Sequence, residues 1–464
     1  MSQIKVRIRL FCLESTGAFQ NYFHPQGHCR FTTSKQATND VLLFLLATTF
    51  VLLRNLECVF GIAADIITAI EYNKAGDWMA AADKGGRVVI FRKNNSAKSK
   101  SSRDSLTCIP HFQFQAFEVE FDFLKSLDIE TKINKIRFYE IPNKLALFTA
   151  NDRTIKFWKL SERSEHDAIA VKALKQGKGL QLPRKKRSGP ATSATTCRAY
   201  NNAHAYHINS LDICNDAATF LSADDLRINM WNIERSDTAF NLVDFKPSNM
   251  TELNEVITCT RYFPQQSNLF HFSTSKGILR VSDLRESACI SKYSKTFKDH
   301  KATSNGETNG AYTELISAIT DVKLSQSERY FAVRDYMTVK IWDMKMERKP
   351  VTTITVHDHL EPHLAHLYSS EAIFDKFEVS FSPGDEKILT GSYNNKFYIY
   401  DVNNPTAPIA EASTPDFITD ADSDSGDPLS FNPSKRNLHY SYHPSGDVVA
   451  VAGLAGLHLF CLSL

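Results

Sequence analysis

Seven short segments of this chain end in the same way: a turn, then alternating apolar residues, then an aromatic. They are GGRVVIF (Gly85–Phe91), DRTIKFW (Asp152–Trp158), DLRINMW (Asp225–Trp231), KGILRVS (Lys276–Ser282), MTVKIWD (Met337–Asp343), NKFYIYD (Asn395–Asp401) and AGLHLFC (Ala455–Cys461). In register the closing positions are Phe91, Trp158, Trp231, Ser282, Trp342, Tyr400 and Phe460, so only the fourth lacks its aromatic. Two more strand patterns precede each segment, as in ITAIEYNKAGDWMAAADKGG and FEVSFSPGDEKILTGSYNN. Period-two alternation broken by Pro, Gly, Asn and Asp turns is the signature of short antiparallel strands. One such sheet cannot bury both faces, and its edges expose unpaired backbone groups. Arranging the sheets radially packs each on its neighbours, and closing the ring protects the edges. The expected fold is therefore all-β, a seven-bladed β-propeller occupying residues 63–464, with residues 1–62 an unassigned extension. The closing aromatics then fill the space between blades rather than bind a ligand.

The closing positions lie about 50 to 75 residues apart, against roughly 40–45 for a plain WD repeat. The excess sits in four insertions, Arg92–Lys132, Lys159–Tyr206, Leu284–Ser317 and Val402–Arg436. Loops of that length in a compact domain carry function or are disordered. The first insertion joins a basic, Ser-rich stretch to FQFQAFEVEFDFLKSLDIETK, in which Phe alternates with Glu and Asp. That second part reads either as an arm for basic and apolar peptides or as an ordinary half-buried strand. The second insertion holds Arg184, Lys185, Lys186 and Arg187. Such a run is a nuclear-localisation signal, a nucleic-acid patch, a protein docking surface or plain solvated loop. The acidic DFITDADSDSGD (Asp416–Asp427) reads as a surface loop.

Lys and Arg number 54 against 52 Asp and Glu, a formal charge of +2, so total charge points to neither nucleic acid nor a membrane surface. Nine scattered cysteines without a CxxC pair indicate reduced thiols and a cytoplasmic location, to which the RKKR run adds the nucleus. The uncharged run Val41–Leu53 is short for a membrane helix and too far from Met1 for a signal peptide. A buried strand or helix, or a misplaced start of the coding sequence, accounts for it better than an anchor. His357, His359, His363 and His366 cluster in sequence, but Pro362 breaks their helical spacing and no metal is expected. No phosphate-cradling, dinucleotide, HExxH or GxSxG motif is present, so neither catalysis nor a cofactor is expected. In Asp224-Asp225 an aspartate at an inter-strand turn is expected to anchor backbone amides.

The strings ADIITAIEYN, DKGGRVVIF, EFDFLKSLDIETKINKIRF, NAHAYHINS, LSADDLRINMW, ELNEVIT, YMTVKIWDM, IFDKFE and TGSYNNKFYIYD resemble the WD-repeat B-type regulatory subunit of protein phosphatase 2A. The resemblance runs from about Ala64 to the C-terminus. It implies a propeller docked on the HEAT-repeat scaffold (A) subunit, next to the separate catalytic (C) subunit, and recruiting phosphoprotein substrates. By resemblance, the scaffold is gripped by a hairpin matching Glu162–Tyr200, which contains Arg184, Lys185, Lys186 and Arg187. By the same resemblance, substrate-groove positions fall on Lys84, Phe121, Asp122, Glu130, Lys132, Tyr206, His207, Asp225, Leu253, Val256, Tyr368, Phe374, Asp375 and Lys376. Carboxylates such as Asp225 would pair with Arg or Lys of a short substrate helix, and Leu253 and Val256 would meet its apolar face. Thr131 departs from the family, which has a second acidic residue there, and only CVFG (Cys58–Gly61) echoes the family's strand leading into the first repeat. The rivals are a generic propeller scaffold for another complex, against which EFDFLKSLDIE and ADDLRIN speak, and a propeller hydrolase, for which no converging acid–base set is seen.

Overall fold

Strands with apolar residues on both faces need cover on both, and each sheet of this protein receives it from the next. The computed structural model describes residues 49–56, 66–93, 108–123, 126–141, 144–168, 185–290, 292–299, 310–414, 435–453 and 456–463. Among them are seven four-stranded antiparallel sheets and one small two-stranded hairpin, Glu120–Asp122 with Leu127–Ile129. The innermost strands are Ile67–Tyr72, Lys135–Ile141, Ser210–Ile213, Ile257–Tyr262, Asp321–Leu324, Val379–Phe381 and Tyr440–Tyr442, which we assign to blades 1 to 7. Each packs on the innermost strand of the next blade, and the seventh returns to the first. The ring is a closed seven-bladed propeller.

Six sheets take their four strands consecutively from the chain. The seventh takes three from its C-terminus, and its outermost strand is Thr49–Leu56, paired antiparallel to Leu457–Ser463. Joining the first and the last described strands in one sheet ties the ring by backbone hydrogen bonds. This strand lies upstream of Cys58–Gly61 and of the residue-63 boundary suggested by the repeats, and it takes in the end of the Val41–Leu53 run. The signal was hard to read because a fourth strand contributed from a distant segment has no repeat partner next to it. CVFG itself, and residues 41–48, lie outside the described residues.

Seven apolar clusters fill the seven gaps between blades, and the closing aromatics sit in them. Phe91 lies between blades 7 and 1, Trp158 between 1 and 2, and Trp231 between 2 and 3. Trp342, Tyr400 and Phe460 fill the gaps between blades 4 and 5, 5 and 6, and 6 and 7. Ser282, where the aromatic is missing, is buried nonetheless.

Blade 3 adds a polar clamp. Asp224 accepts hydrogen bonds from the amides of Leu226 and Arg227 at 2.8 and 2.7 Å, the anchoring expected of an aspartate at this turn. His204 Nδ1 lies 3.0 Å from the Asp224 carboxylate and Nε2 lies 2.6 Å from Ser222 Oγ, which accepts the Trp231 indole N–H at 2.9 Å. Assigning the proton to Nδ1 satisfies every member of the chain. Burial opposes ionisation of Asp224, and the bonds from His204 and the two amides overcome it, holding the carboxyl below the usual carboxylate range.

Between blades 6 and 7 the packing leaves room only for glycine. A Cβ on Gly391 would run into the Asn437 carbonyl oxygen and lie 3.0 Å from the Tyr440 ring, while the Gly391 amide donates to the Tyr440 hydroxyl at 2.8 Å. Gly391→Ala is expected to lower unfolding free energy by about 1–3 kcal/mol through overpacking, read from urea denaturation. Gly384→Ala, where the nearest atom is a flexible Glu386 carbon at 4.0 Å, should stay within about 0.5 kcal/mol of the parent.

Candidate functional site: a loop-built face over the channel mouth

The two ends of the propeller differ in how their loops are made. One end carries the tight turns between first and second strands. The other carries the connections between blades and the turns between second and third strands. All fourteen groove positions expected from the sequence emerge at the latter end, from segments 84, 121–132, 206–207, 225, 253–256 and 368–376.

Six of them lie on a cavity of about 490 Å³ at the mouth of the central channel. Glu130, Lys132, His207, Phe374, Asp375 and Lys376 line it directly. Its floor is an ion pair across the axis, Lys135 of blade 2 to Glu378 of blade 6 at 2.7 Å, with His439 of blade 7 at 3.3 Å from the same carboxylate. Burial disfavours the Glu378 carboxylate, but Lys135 and His439 hold its carboxyl well below the usual range. The channel is therefore bridged by charge near its loop-built end, and the mouth is a bowl.

Asp225 stands at the rim of this bowl. Its carbonyl accepts the Ile257 amide at 2.8 Å, which places it against Val256. Burial raises its carboxyl above the usual range while the Lys376 ammonium works in the other direction. Burial likewise lowers Lys376, against the pull of Asp225. Asp225 is half-buried at the rim and Lys376, exposed, lines the bowl, so each stands where an incoming partner of opposite charge can reach it. Leu253 caps the short turn Met250–Glu252 and is half-buried like Val256, leaving a shallow apolar strip beside Asp225.

Asp375 is differently placed. Its carboxylate is held by the Arg436 guanidinium and by the Tyr393 hydroxyl at 3.0 Å. Its bonds are directed into the protein, so what it contributes at the surface is the position of Phe374 and Lys376. Asp122 is paired with Arg153 at 3.3 Å, His207 with Asp152 at 2.9 Å, and the Lys84 carbonyl accepts from the Thr131 hydroxyl at 3.1 Å. Thr131 thus ties the first inter-blade arm to blade 1 where a second carboxylate would add charge.

Exposed aromatics complete the face. Phe121 packs edge-on against Phe123 at 5.0 Å, and Phe123 is 85% exposed. Tyr368 lies 6.0 Å from Phe374 and 5.8 Å from Tyr312 on the helix Gly310–Ser317. Tyr206, also exposed, adjoins His207. Phe123, Tyr312, Asp152, Arg153 and Arg436 were missed from the sequence. Phe123 could have been found from the Phe/Asp alternation; the others are brought in by packing between distant segments.

A second surface lies at the opposite end. The strands Ile155–Ala168 and Lys185–Tyr200 are the longest described, paired from Ile155 with Tyr200 to Ala168 with Lys185. Their inner neighbour follows only to Leu160. Residues 161–168 therefore continue with their partner as a two-stranded ribbon reaching about 27 Å at 3.4 Å per residue, its base braced by His111 on Glu162 at 2.8 Å. Lys185, Lys186 and Arg187 pair with Ala168, Asp167 and His166, and Arg184 lies outside the described residues. Asp416–Asp427 also lies outside them.

Two constellations suggest chemistry and do not supply it. Ser222, His204 and Asp224 are ordered like a hydrolytic triad, but all three are buried and the serine oxygen is engaged by Trp231. His357 is buried with its nitrogens on the Tyr336 carbonyl at 2.7 Å and Ser392 at 3.1 Å, whereas His359, His363 and His366 are exposed. Among the described residues no three His, Cys, Asp or Glu are placed to hold a metal.

No family model matches the chain. It is 46% identical over 347 residues, 73% of this chain and 67% of the other, to the B-type regulatory subunit of protein phosphatase PP2A from Candida tropicalis. It is 40% identical over 427 residues, 86% of this chain and 95% of the other, to the B-beta isoform of the 55 kDa regulatory subunit of serine/threonine-protein phosphatase 2A from Carassius auratus. The PP2A 55 kDa regulatory subunit of Drosophila melanogaster is 40% identical over 422 residues, covering 86% of this chain and 83% of its own length. With relatives matched over most of both chains and a propeller of seven blades, this chain belongs to the family of 55 kDa B-type regulatory subunits of protein phosphatase 2A.

Proposed function

We propose that the chain is the non-catalytic regulatory subunit of a protein phosphatase 2A complex, which brings phosphoprotein substrates to a separate catalytic subunit. The observation that carries this reading is the pairing of family membership with a loop-built face of charged and aromatic residues around the bowl. Holding substrate and enzyme together raises the local concentration of phosphosite at the active site. On this reading Asp225 receives an Arg or Lys of the substrate, Leu253 and Val256 its apolar side, and the aromatics Phe121, Tyr206, Tyr368 and Phe374 frame the approach. Lys84, Asp122, Glu130, Lys132, His207, Asp375 and Lys376 complete the same surface. The ribbon that carries Lys185, Lys186 and Arg187 reaches away from it and suits the scaffold, so that one chain holds both partners without competition. Residence in the cytoplasm, with a nuclear pool, accords with the absence of CxxC pairs from the sequence and with the RKKR run.

The intact chain, pulled down from its own cell extract, is expected to bring a HEAT-repeat scaffold and a phosphatase catalytic subunit in equal amounts, identified by mass spectrometry. Recovery of other partners without these two would overturn the assignment of partners and of groove residues together.

A further inference from the structure

Among the described residues, the hairpin Glu120–Asp122 with Leu127–Ile129 is the one sheet that belongs to no blade. Its three residue pairs, Glu120 with Ile129, Phe121 with Asp128 and Asp122 with Leu127, are too few to fix it on their own. Its orientation must come from the propeller. Side chains alternate between faces along a strand, so Phe121 and Phe123 lie to one side and Asp122 to the other. The two phenylalanines are exposed, with their rings 5.0 Å apart. Asp122 is half-buried, and its carboxylate accepts from the Arg153 guanidinium at 3.3 Å.

Arg153 belongs to the turn 151–154 between the second and third strands of blade 2, Lys144–Ala150 and Ile155–Ala168. The turn is fixed by its own bonds. Asn151 Oδ1 accepts the amides of Arg153 and Thr154 at 3.0 and 2.7 Å, and the Asn151 amide donates to the Thr154 carbonyl at 3.1 Å. Three successive side chains of this turn then reach three separate places on the recruiting face. Asn151 Nδ2 donates to the Glu130 carbonyl at 3.3 Å, where the hairpin returns to the propeller. One Asp152 oxygen takes the Asn134 amide at 2.9 Å and lies 2.9 Å from His207 Nδ1. Arg153 takes Asp122. Asn151 and Asp152 are buried, so the turn is a firm base for what it holds.

We infer that Arg153 is a positioning residue for substrate recruitment: through Asp122 it sets the hairpin so that Phe121 and Phe123 are presented to an arriving peptide. The inference rests on the recruiting role proposed above for this face. It gives Asp122 a part different from that of Asp225, since the Asp122 carboxylate is engaged inside the protein and acts through the orientation of its neighbours. An arm held in place beforehand adds no ordering cost when the peptide binds.

The test uses the chain assembled with its scaffold and catalytic subunits, and two substrates. One is a phosphoserine peptide extended by an amphipathic helix with Leu on one face and Arg and Lys on the other. The second is p-nitrophenyl phosphate, which needs no recruitment. Arg153→Met is expected to raise KM for the peptide about fivefold with kcat unchanged, and to leave turnover of p-nitrophenyl phosphate unchanged. Arg153→Lys should stay within about twofold of the parent, because a single contact to one carboxylate oxygen needs only a point charge. Should Arg153→Met fail to assemble, Arg153→Gln serves the same comparison. The exchanged pair separates positioning from direct contact: Asp122→Arg alone should raise KM, and Asp122→Arg with Arg153→Asp should return it to within about twofold of the parent. A carboxylate that met the peptide itself would not be rescued in this way. If Asp225→Lys raises KM on this peptide while Arg153→Met leaves it unchanged, or the exchanged pair does not recover, the role of Arg153 is overturned and the recruiting face stands. If Asp225→Lys also leaves KM unchanged, the recruiting reading falls and the role of Arg153 with it.

Discussion

Asp225→Lys is expected to reduce dephosphorylation of recruited substrates at least about tenfold while leaving the phosphatase complex assembled. A hydrogen bond to a charged group contributes about 1.5–3 kcal/mol, and each 1.4 kcal/mol is a factor of about ten. Reversing the sign adds repulsion, because the new ammonium would stand near Lys376, the exposed cation whose charge Asp225 feels. The fold should tolerate the change, since the amides of Leu226 and Arg227 and the ring of His204 are held by Asp224, not by its neighbour. Asp225→Asn, which keeps the size and loses the charge, should fall between parent and Lys variant. The reciprocal variant replaces the ribbon, residues 161–193, with a tight turn. It should lose the scaffold and still bind substrate peptide, because ribbon and bowl lie at opposite ends of the propeller. Full activity of the assembled Asp225→Lys complex towards its substrates would remove Asp225 from the site.

How much of this could be read from the chain alone differs between the repeat and the face. The alternation ending in Phe91, Trp158, Trp231, Ser282, Trp342, Tyr400 and Phe460 specifies blades and their number, because inter-blade packing repeats one apolar pattern at one register, with an aromatic in six of the seven. The closing strand Thr49–Leu56 could not be placed, since its pairing partner lies about 400 residues away and no repeat marks it. At the bowl, the positions of Asp225, Leu253 and Lys376 are implied by resemblance, and the physical reason they share one end of the propeller is ring closure, which no local pattern encodes. The Lys135–Glu378 bridge joins blades 2 and 6 across the axis, and neither residue stands out in its own repeat. Asp375 looks in sequence like a free carboxylate in IFDKFE, yet Arg436 and Tyr393 converge on it from blades 6 and 7.

Trp231→Ala is expected to lower unfolding free energy by about 4 kcal/mol, within the usual range for truncating a buried aromatic. Trp231 is 2% exposed and packs with Phe220, Tyr200, Phe148 and Leu211 between blades 2 and 3, so its removal leaves a cavity at a junction of the ring. The indole N–H also ends the chain of bonds through Ser222 and His204 to Asp224. Trp231→Phe separates the two contributions: most of the apolar area stays, the donor goes, and the expected cost falls to about 1 kcal/mol. His204→Ala leaves Asp224 buried without its strongest partner and should cost about 1–3 kcal/mol. The same network predicts a pH signature. The Asp224 carboxyl is held below its unfolded value of about 3.9, so its contribution is present above that pH and is lost as pH falls through the folded value. Urea denaturation of parent, Trp231→Ala, Trp231→Phe and His204→Ala at pH 7 and at pH 3 reads both effects. Equal stability of the Ala and Phe variants would show that the clamp, not the packing, dominates at this junction. A His204→Ala difference that persists unchanged at pH 3 would sink the role assigned to the Asp224 carboxylate.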